Sequence, residues 1–560
     1  MKRGTLGTMR LLVPVLVATL TLQAQVPRAA DIQERRLASG ARLLLVERRG
    51  LSAFHATLVF RGGRVEESAA LAGATDLLAR TLFAHTWPED LEPAKGQGLD
   101  SLLKQEEGRL EAIRLERLRL RRDASATSQL GPLEAGLQAI QARLGELRAP
   151  SPLSDVYVAR GGRQTAEATA DGLIASTELP REAFEFWCRT ETQRLHALQL
   201  SRFSEARADF TTELRNQGPQ GMALLRGAAL PGHPYGRDLS DYLPAMEALR
   251  WSDLRAHAQR TLSPDRLTII LVGPISMESA LPLLERTLGA LPPHAGGEEA
   301  VMPEIPGDLG DRRVQAALGG EPRLLTGWRI PSRNHADHLA LRMAAQLLVG
   351  GHATRLPVRL VRQKALVREV DLDLDLPGGR LPGLLVIDLK PADGHSLAEI
   401  EGALHGEILR LQQEPISAEE WQRALAQLEA DHIRVLDEPA LLAHSLSQAF
   451  VEIGDWRMAG LDIQRLRALT PEAVQLAVRA WLNPTHRTTV LLEPHPSSGL
   501  DPLDAELTRV LTAIAAGRIE DPARREQLVS EGLRQLRMLR PEERQRTLKL
   551  LGAQLDPDKR

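Results

Sequence analysis

What most constrains the fold of this chain is that its order of elements repeats. In the first half, apolar strand-like runs at Arg42–Glu47 and 53–60 lead into a small-residue helix over 71–83. Amphipathic helices over 182–202, 204–216 and 252–261 follow, then a buried strand over 267–272 and a helix over 276–291. The second half runs the same way. A strand at Arg323–Ile330, a helix over 334–348, alternating runs at 371–376 and 383–389, long helices over 397–414 and 418–433, and a strand over 489–492. This order predicts a duplicated α+β unit of about 200 residues. With 560 residues the chain is too long for one core, and three or four packed units are expected.

Two segments break the repeat. Pro292–Pro306 is rich in Pro, Gly and Glu, and places a linker over 293–306. This gives an N-terminal domain over 30–292 and a C-terminal domain over 307–496, with a charged helical tail over 497–560. Within the first domain, Leu133, Leu137, Ile140, Leu144 and Leu147 recur at spacings of four and three. Leu99, Leu103, Leu110, Ile113 and Leu120 offer a similar register, and 124–132 is turn-rich, so 97–150 reads as an inserted helical hairpin.

Composition removes several classes of function. The chain has 70 Lys+Arg against 73 Asp+Glu, without the basic excess of a nucleic-acid binder. A single cysteine, Cys188, excludes an internal disulfide and any thiolate-rich metal site. Lys2, Arg3 and Arg10 precede the apolar run 11–20, and Ala24 offers a small residue for cleavage. Residues 1–24 therefore read as a secretory signal peptide, the run being shorter than the ~20 residues that span a bilayer. The mature chain is expected to be exported, periplasmic or extracellular, with no membrane span.

Several ordered motifs carry a family resemblance. They are Arg61-Gly62-Gly63-Arg64-Val65-Glu66-Glu67 with Leu71-Ala72-Gly73-Ala74, Pro231–Gly236 with 241–245 and 267–273, and Gly350-Gly351-His352-Ala353-Thr354-Arg355-Leu356 through Arg362-Gln363-Lys364. Together the chain resembles the pitrilysin/insulinase (M16) family of zinc metallopeptidases over about residues 36–495. The resemblance implies two homologous M16-type domains, each an antiparallel-rich sheet packed against helices, forming a clamshell.

It also implies an active helix bearing His-x-x-Glu-His, whose histidines ligate zinc while the Glu activates water. The matching window here is 73–83, and there Asp76 stands for the first histidine, Ala79 for the Glu and Arg80 for the second histidine. The family's distal zinc ligand matches Glu213, the only ligand retained. Arg80 at a ligand position implies a salt bridge to Glu213, joined by Asp76, with all three side chains facing inward. Guanidinium cannot ligate zinc and repels a cation beside it, so no cofactor is expected. Arg362 matches a substrate-contacting Arg, and the companion Tyr position falls at Arg368.

Other residues read as structural. His335 and His338 cap and solvate a helix start, His233 belongs to a Pro/Gly loop, His85 is a loop residue near the altered helix, and Cys188 beside Trp187 is a core thiol. The expected function is a proteolytically inactive M16 homologue that binds unfolded peptides or supports an active M16 peptidase subunit. Two alternatives are an active zinc metalloendopeptidase using Asp76, Glu213 and His85, and an envelope component that binds through the hairpin.

Overall fold

A computed structural model describes residues 32–84, 93–122, 127–147, 153–196, 200, 202–217, 220–292, 307, 310–318, 320–494, 502–516, 522–537, 539 and 541–553. The signal peptide at 1–24, the linker at 293–306 and His85 lie outside these residues. The alternating and aliphatic runs form eleven strands: β1 Ile32–Arg36, β2 Arg42–Glu47, β3 Ala53–Arg61, β4 Arg163–Ala168, β5 Gly172–Pro180, β6 Leu267–Gly273, β7 Arg312–Ala317, β8 Arg323–Ile330, β9 Val367–Leu376, β10 Gly383–Pro391 and β11 Arg487–Glu493.

Two sheets result, ordered β1-β2-β6-β3-β5-β4 and β7-β11-β8-β10-β9. In the first, β2 runs parallel to β6, while the β6–β3, β3–β5 and β5–β4 pairs are antiparallel. In the second, β7 runs parallel to β11, and β11–β8, β8–β10 and β10–β9 are antiparallel. Strand for strand the two orders coincide, with β1 the one addition. The duplication seen in the sequence is thus one of topology.

Every residue of β6 is buried, which requires cover on both faces of the sheet. One face packs on helices of its own half, including Phe184–His196, Trp251–Thr261 and Met277–Arg286. The other face, formed by Leu44, Val46, Val59, Ile174, Ile270 and Val272, is covered by Leu442, Leu446 and Phe450 from the helix Pro439–Ile453 of the second half. The second sheet is covered in return. Leu325, Leu384, Val386, Val490 and Leu492 pack on Leu225 and Ala229 of the helix Gly221–Ala229 from the first half. Each half therefore completes the core of the other.

Local boundaries differ from the sequence expectations for identifiable reasons. The helix over 71–83 begins only at Ala74, giving α1 Ala74–Thr81, because Gly73 takes a left-handed backbone (φ +85°). A Cβ there would sit 3.2 Å from the Tyr242 ring. The helix over 182–202 spans Phe184–His196, and that over 334–348 starts at His338, after the turn at 333–337. The inserted segment forms α2 Pro93–Arg122 and α3 Leu130–Leu147, which pack side by side. Arg117 pairs with Glu134 at 3.2 Å, and Gln141 donates to Glu106 at 3.1 Å. In the tail, the helix Pro502–Ala516 packs against Pro522–Arg537 and Pro541–Ala553. Among the described residues no helix is long and apolar enough to cross a membrane.

Candidate functional site

Helical periodicity sends Leu77, Leu78 and Thr81 of α1 into the core, which leaves Asp76, Ala79 and Arg80 on the face towards β4 and the helix Phe203–Asn216. The start of α1 is held by a buried carboxylate. Glu67 accepts hydrogen bonds from the backbone N–H of Gly73 at 2.8 Å and of Thr75 at 2.6 Å, satisfying donors that a helix N-terminus leaves open. Burial pushes the Glu67 carboxyl up to about 7, against the pull of these hydrogen bonds. The Thr75 hydroxyl is hydrogen-bonded to His257 Nε2 at 3.0 Å, and burial brings that imidazole down to about 4, leaving it neutral at pH 7. Tyr242 packs beside Gly73, with its phenol raised to about 12 by burial.

Asp76 faces a cation. Arg64 Nε and Nη2 donate to its two carboxylate oxygens at 2.8 and 2.7 Å, and Nη2 also donates to the Ala168 carbonyl on β4 at 2.8 Å. Burial would lower the Arg64 pKa, but the hydrogen bonds and charge of Asp76 outweigh it and raise it above the usual arginine range. Arg80 pairs with Glu213, with Nη1 2.9 Å from Oε2, and lies 4.3 Å over the Phe210 ring. The expected Arg80–Glu213 ion pair is therefore present, but Asp76 does not join it, because Arg64 occupies both its oxygens. Nor do all three side chains face inward: Arg80 and Glu213 are 42% and 43% exposed. Solvent at that exposure limits the pair to about 0–1 kcal/mol. Ala79 is buried and presents only a methyl group.

These residues do not fit a zinc ion. Arg80, expected at one ligand position, is a permanent cation, Asp76, expected at another, is chelated by the Arg64 guanidinium, and Ala79, expected at the general-base position, has no ionisable group. Among the described residues no group of three or more His, Cys, Asp or Glu side chains is placed to hold a metal.

Just behind this pair of ion pairs, the two halves are joined by polar contacts. Glu66 accepts from Arg266 at 2.6 Å and from Arg380 of the second half at 2.8 Å, and these guanidiniums pull its pKa below the usual range although burial opposes them. Asp171 accepts from the Tyr235 hydroxyl and from the backbone N–H of Gly379 and Arg380 at 3.0 and 3.1 Å. A Cβ on Gly378 would sit 2.4 Å from Asp171 Oδ2, so the loop comes this close only because residue 378 is glycine.

The remaining singled-out residues lie apart. Arg362 donates to the His352 carbonyl at 2.8 Å, and among the described residues no hydrogen bond or ion pair links it to Asp76, Arg80 or Glu213. Arg368, on β9, donates to the Pro391 carbonyl and pairs with Glu321. His338 meets Asp375 at 2.6 Å, whereas His335 packs edge-on against Trp481. The His233 ring accepts from the Tyr235 N–H, and Cys188 is a buried free thiol. Arg64 and Glu67 were not singled out in the sequence, although both lie in the Arg61–Glu67 stretch that carried the resemblance. His257 had no sequence signal at all; only the packing of Trp251–Thr261 on α1 brings it in.

Residues 250–428 match the family described as Peptidase M16 inactive domain. A sequence comparison with curated proteins finds no match. Among solved structures, a protease from Helicobacter pylori superposes with a TM-score of 0.66 at 15% identity, covering 83% of this chain and 99% of that one. A peptidase M16 inactive domain from Pseudomonas fluorescens gives 0.59 at 18% identity, covering 83% and 98%. The first half of the periplasmic protease PqqL from Escherichia coli gives 0.60 at 14% identity, covering 90% and 97%. The resemblance to the M16 peptidase family read from the sequence motifs is thus carried both by a matched family segment and by the fold.

Proposed function

We propose that this chain is an exported, proteolytically inactive M16-like protein that binds peptides or supports an active M16 peptidase. What supports this reading is that Asp76, Arg80 and Glu213, the residues matched to the family's metal ligands, are engaged in two ion pairs, Arg64–Asp76 and Arg80–Glu213. With Ala79 at the general-base position, nothing there can activate water. What the fold retains is a sheet edge beside the altered helix. Among the described residues strand β4 ends its sheet, with its outer backbone groups unpaired by a neighbouring strand, and it packs against α1. An extended peptide adding to that edge would gain main-chain hydrogen bonds without any chemistry following.

The two sheets share their cores through exchanged helices, so a clamshell around a peptide needs a second chain as its other shell. That second chain is where an active peptidase partner fits. Metal content by mass spectrometry on protein purified without chelator, beside a quenched-peptide cleavage assay and a fluorescence-anisotropy titration with the same peptides, tests the reading. Peptide binding without stoichiometric zinc and without cleavage is expected. One zinc per chain with chelator-sensitive cleavage overturns it in favour of an unconventional metalloendopeptidase.

A further inference from the structure

The hairpin α2–α3 stands against the first domain and leaves a groove of about 730 Å³, walled by both its helices and by residues 203–207 and 247–251. That volume lies within the roughly 300–1,000 Å³ usual for small-molecule sites. Leu103, Leu110, Ile113, Leu137 and Phe203 give it an apolar lining. Its five glutamates are all engaged within the chain. Glu106 accepts from Gln141 and Glu107 from Ser252, while Glu111, Glu134 and Glu247 pair with Arg114, Arg117 and Arg215. Of the lining arginines, Arg121 and Arg207 make no ion pair with a described residue; Arg121 is exposed, whereas Arg207 is half-buried.

Arg207 Nη1 donates to the Leu249 carbonyl at 2.6 Å, and the guanidinium lies 5.1 Å over the Phe203 ring. Its Nε and Nη2 donate to nothing among the described residues. Burial lowers its pKa below the usual arginine range, and only the more distant charge of Glu106 works against that. On the same wall, the Ser204 hydroxyl and the indole N–H of Trp251, a residue 2% exposed, are buried without a hydrogen-bond partner among the described residues. One wall of an apolar groove thus holds a cation without a counter-ion and two donors without an acceptor, an arrangement that costs free energy until an anion enters. We propose that this groove binds an amphiphilic carboxylate of the fatty-acid type, with its alkyl chain along the leucines and its head on Arg207. A carboxylate matches one guanidinium in two hydrogen bonds, and its single charge suits a wall where Glu106 stands nearby better than a phosphate dianion does. A peptide would bring N–H and C=O groups at every residue to a groove whose glutamates are already engaged, whereas an alkyl chain brings none. No lining residue belongs to α1 or β4, so this site is separate from the altered helix.

Isothermal titration calorimetry of the full chain with decanoate, and with decanol and decyltrimethylammonium as head-group controls, tests this. One decanoate per chain is expected, with decanol at least about tenfold weaker and the cation weaker still. From octanoate to decanoate the affinity rises about fourfold per methylene. Arg207→Gln weakens decanoate at least about tenfold and removes its advantage over decanol, while Leu137→Trp, which fills the groove and keeps Arg207, weakens both. Absence of binding, equal binding of decanoate and decanol, or decanoate binding indifferent to Arg207→Gln overturns the proposal. Tighter binding of acetyl-trileucine than of decanoate overturns it too, and gives the groove to a peptide. Circular dichroism checks that the variants fold; should Arg207→Gln fail, the head-group series on the unaltered chain and Leu137→Trp decide the matter.

Discussion

Leu225 belongs by sequence to the first half, yet its side chain completes the core of the second sheet. It is 0% exposed, and its two methyl groups lie 3.1 and 3.4 Å from where a Cβ on Gly327 of β8 would sit. Replacing it with alanine removes three carbons, about 2.4 kcal/mol at ~0.8 per methylene. The cavity left behind raises the total to about 3–4 kcal/mol, within the usual span for buried Leu→Ala. At about 2 cal/mol/K of unfolding entropy per residue, a cooperative unit holding both sheets would lose about 3–4 °C in Tm. Calorimetry gives the shift, and hydrogen exchange read by mass spectrometry gives its location. Faster exchange in β8, β10 and β11 is expected, with Leu446→Ala doing the converse to β2, β3 and β6. If Leu225→Ala speeds exchange only within 200–292, the exchanged-helix reasoning is refuted.

Three further outcomes follow from the site. Because the folded pKa of Glu67 is raised from 4.5 to about 7, its contribution is fully present below about pH 4.5 and is lost as pH rises to 7, on the order of 3 kcal/mol. Glu67→Gln removes that slope, so the stability gap between wild type and variant must change over pH 4.5–7 in urea titrations; a constant gap sinks the assignment. Cys188 is buried, and burial pushes its thiol upward, so a thiol reagent should leave the native protein unmodified and label it only in denaturant. Finally, Asp76→His, Ala79→Glu and Arg80→His together should confer zinc binding with Glu213 as third ligand, since Glu213 already reaches the residue-80 side chain. Absence of zinc from the triple variant by mass spectrometry would show that these positions do not converge.

The sequence by itself determined much of the duplicated order of strands and helices, though not β1, β4, β5 or β7, together with the hairpin periodicity and the absence of any His-x-x-Glu-His. Each is local, set by hydrophobic period or by residue chemistry at a fixed spacing, and a single chain read in order displays it. The Arg80–Glu213 ion pair was legible for the same reason: a cation and an anion stood at positions the family motif already brings together. Only the tertiary structure decided that Asp76 pairs with Arg64 rather than Arg80, because β4 carries the Ala168 carbonyl that aims the guanidinium. It also decided that His257 supports α1 and that Glu66 joins the halves through Arg380, 314 residues away. The exchange of Gly221–Ala229 for Pro439–Ile453 was hidden most completely. An amphipathic helix announces that one face will be buried, but the partner it is buried against is fixed by which sheet still has an uncovered apolar face, and that is a property of the folded pair.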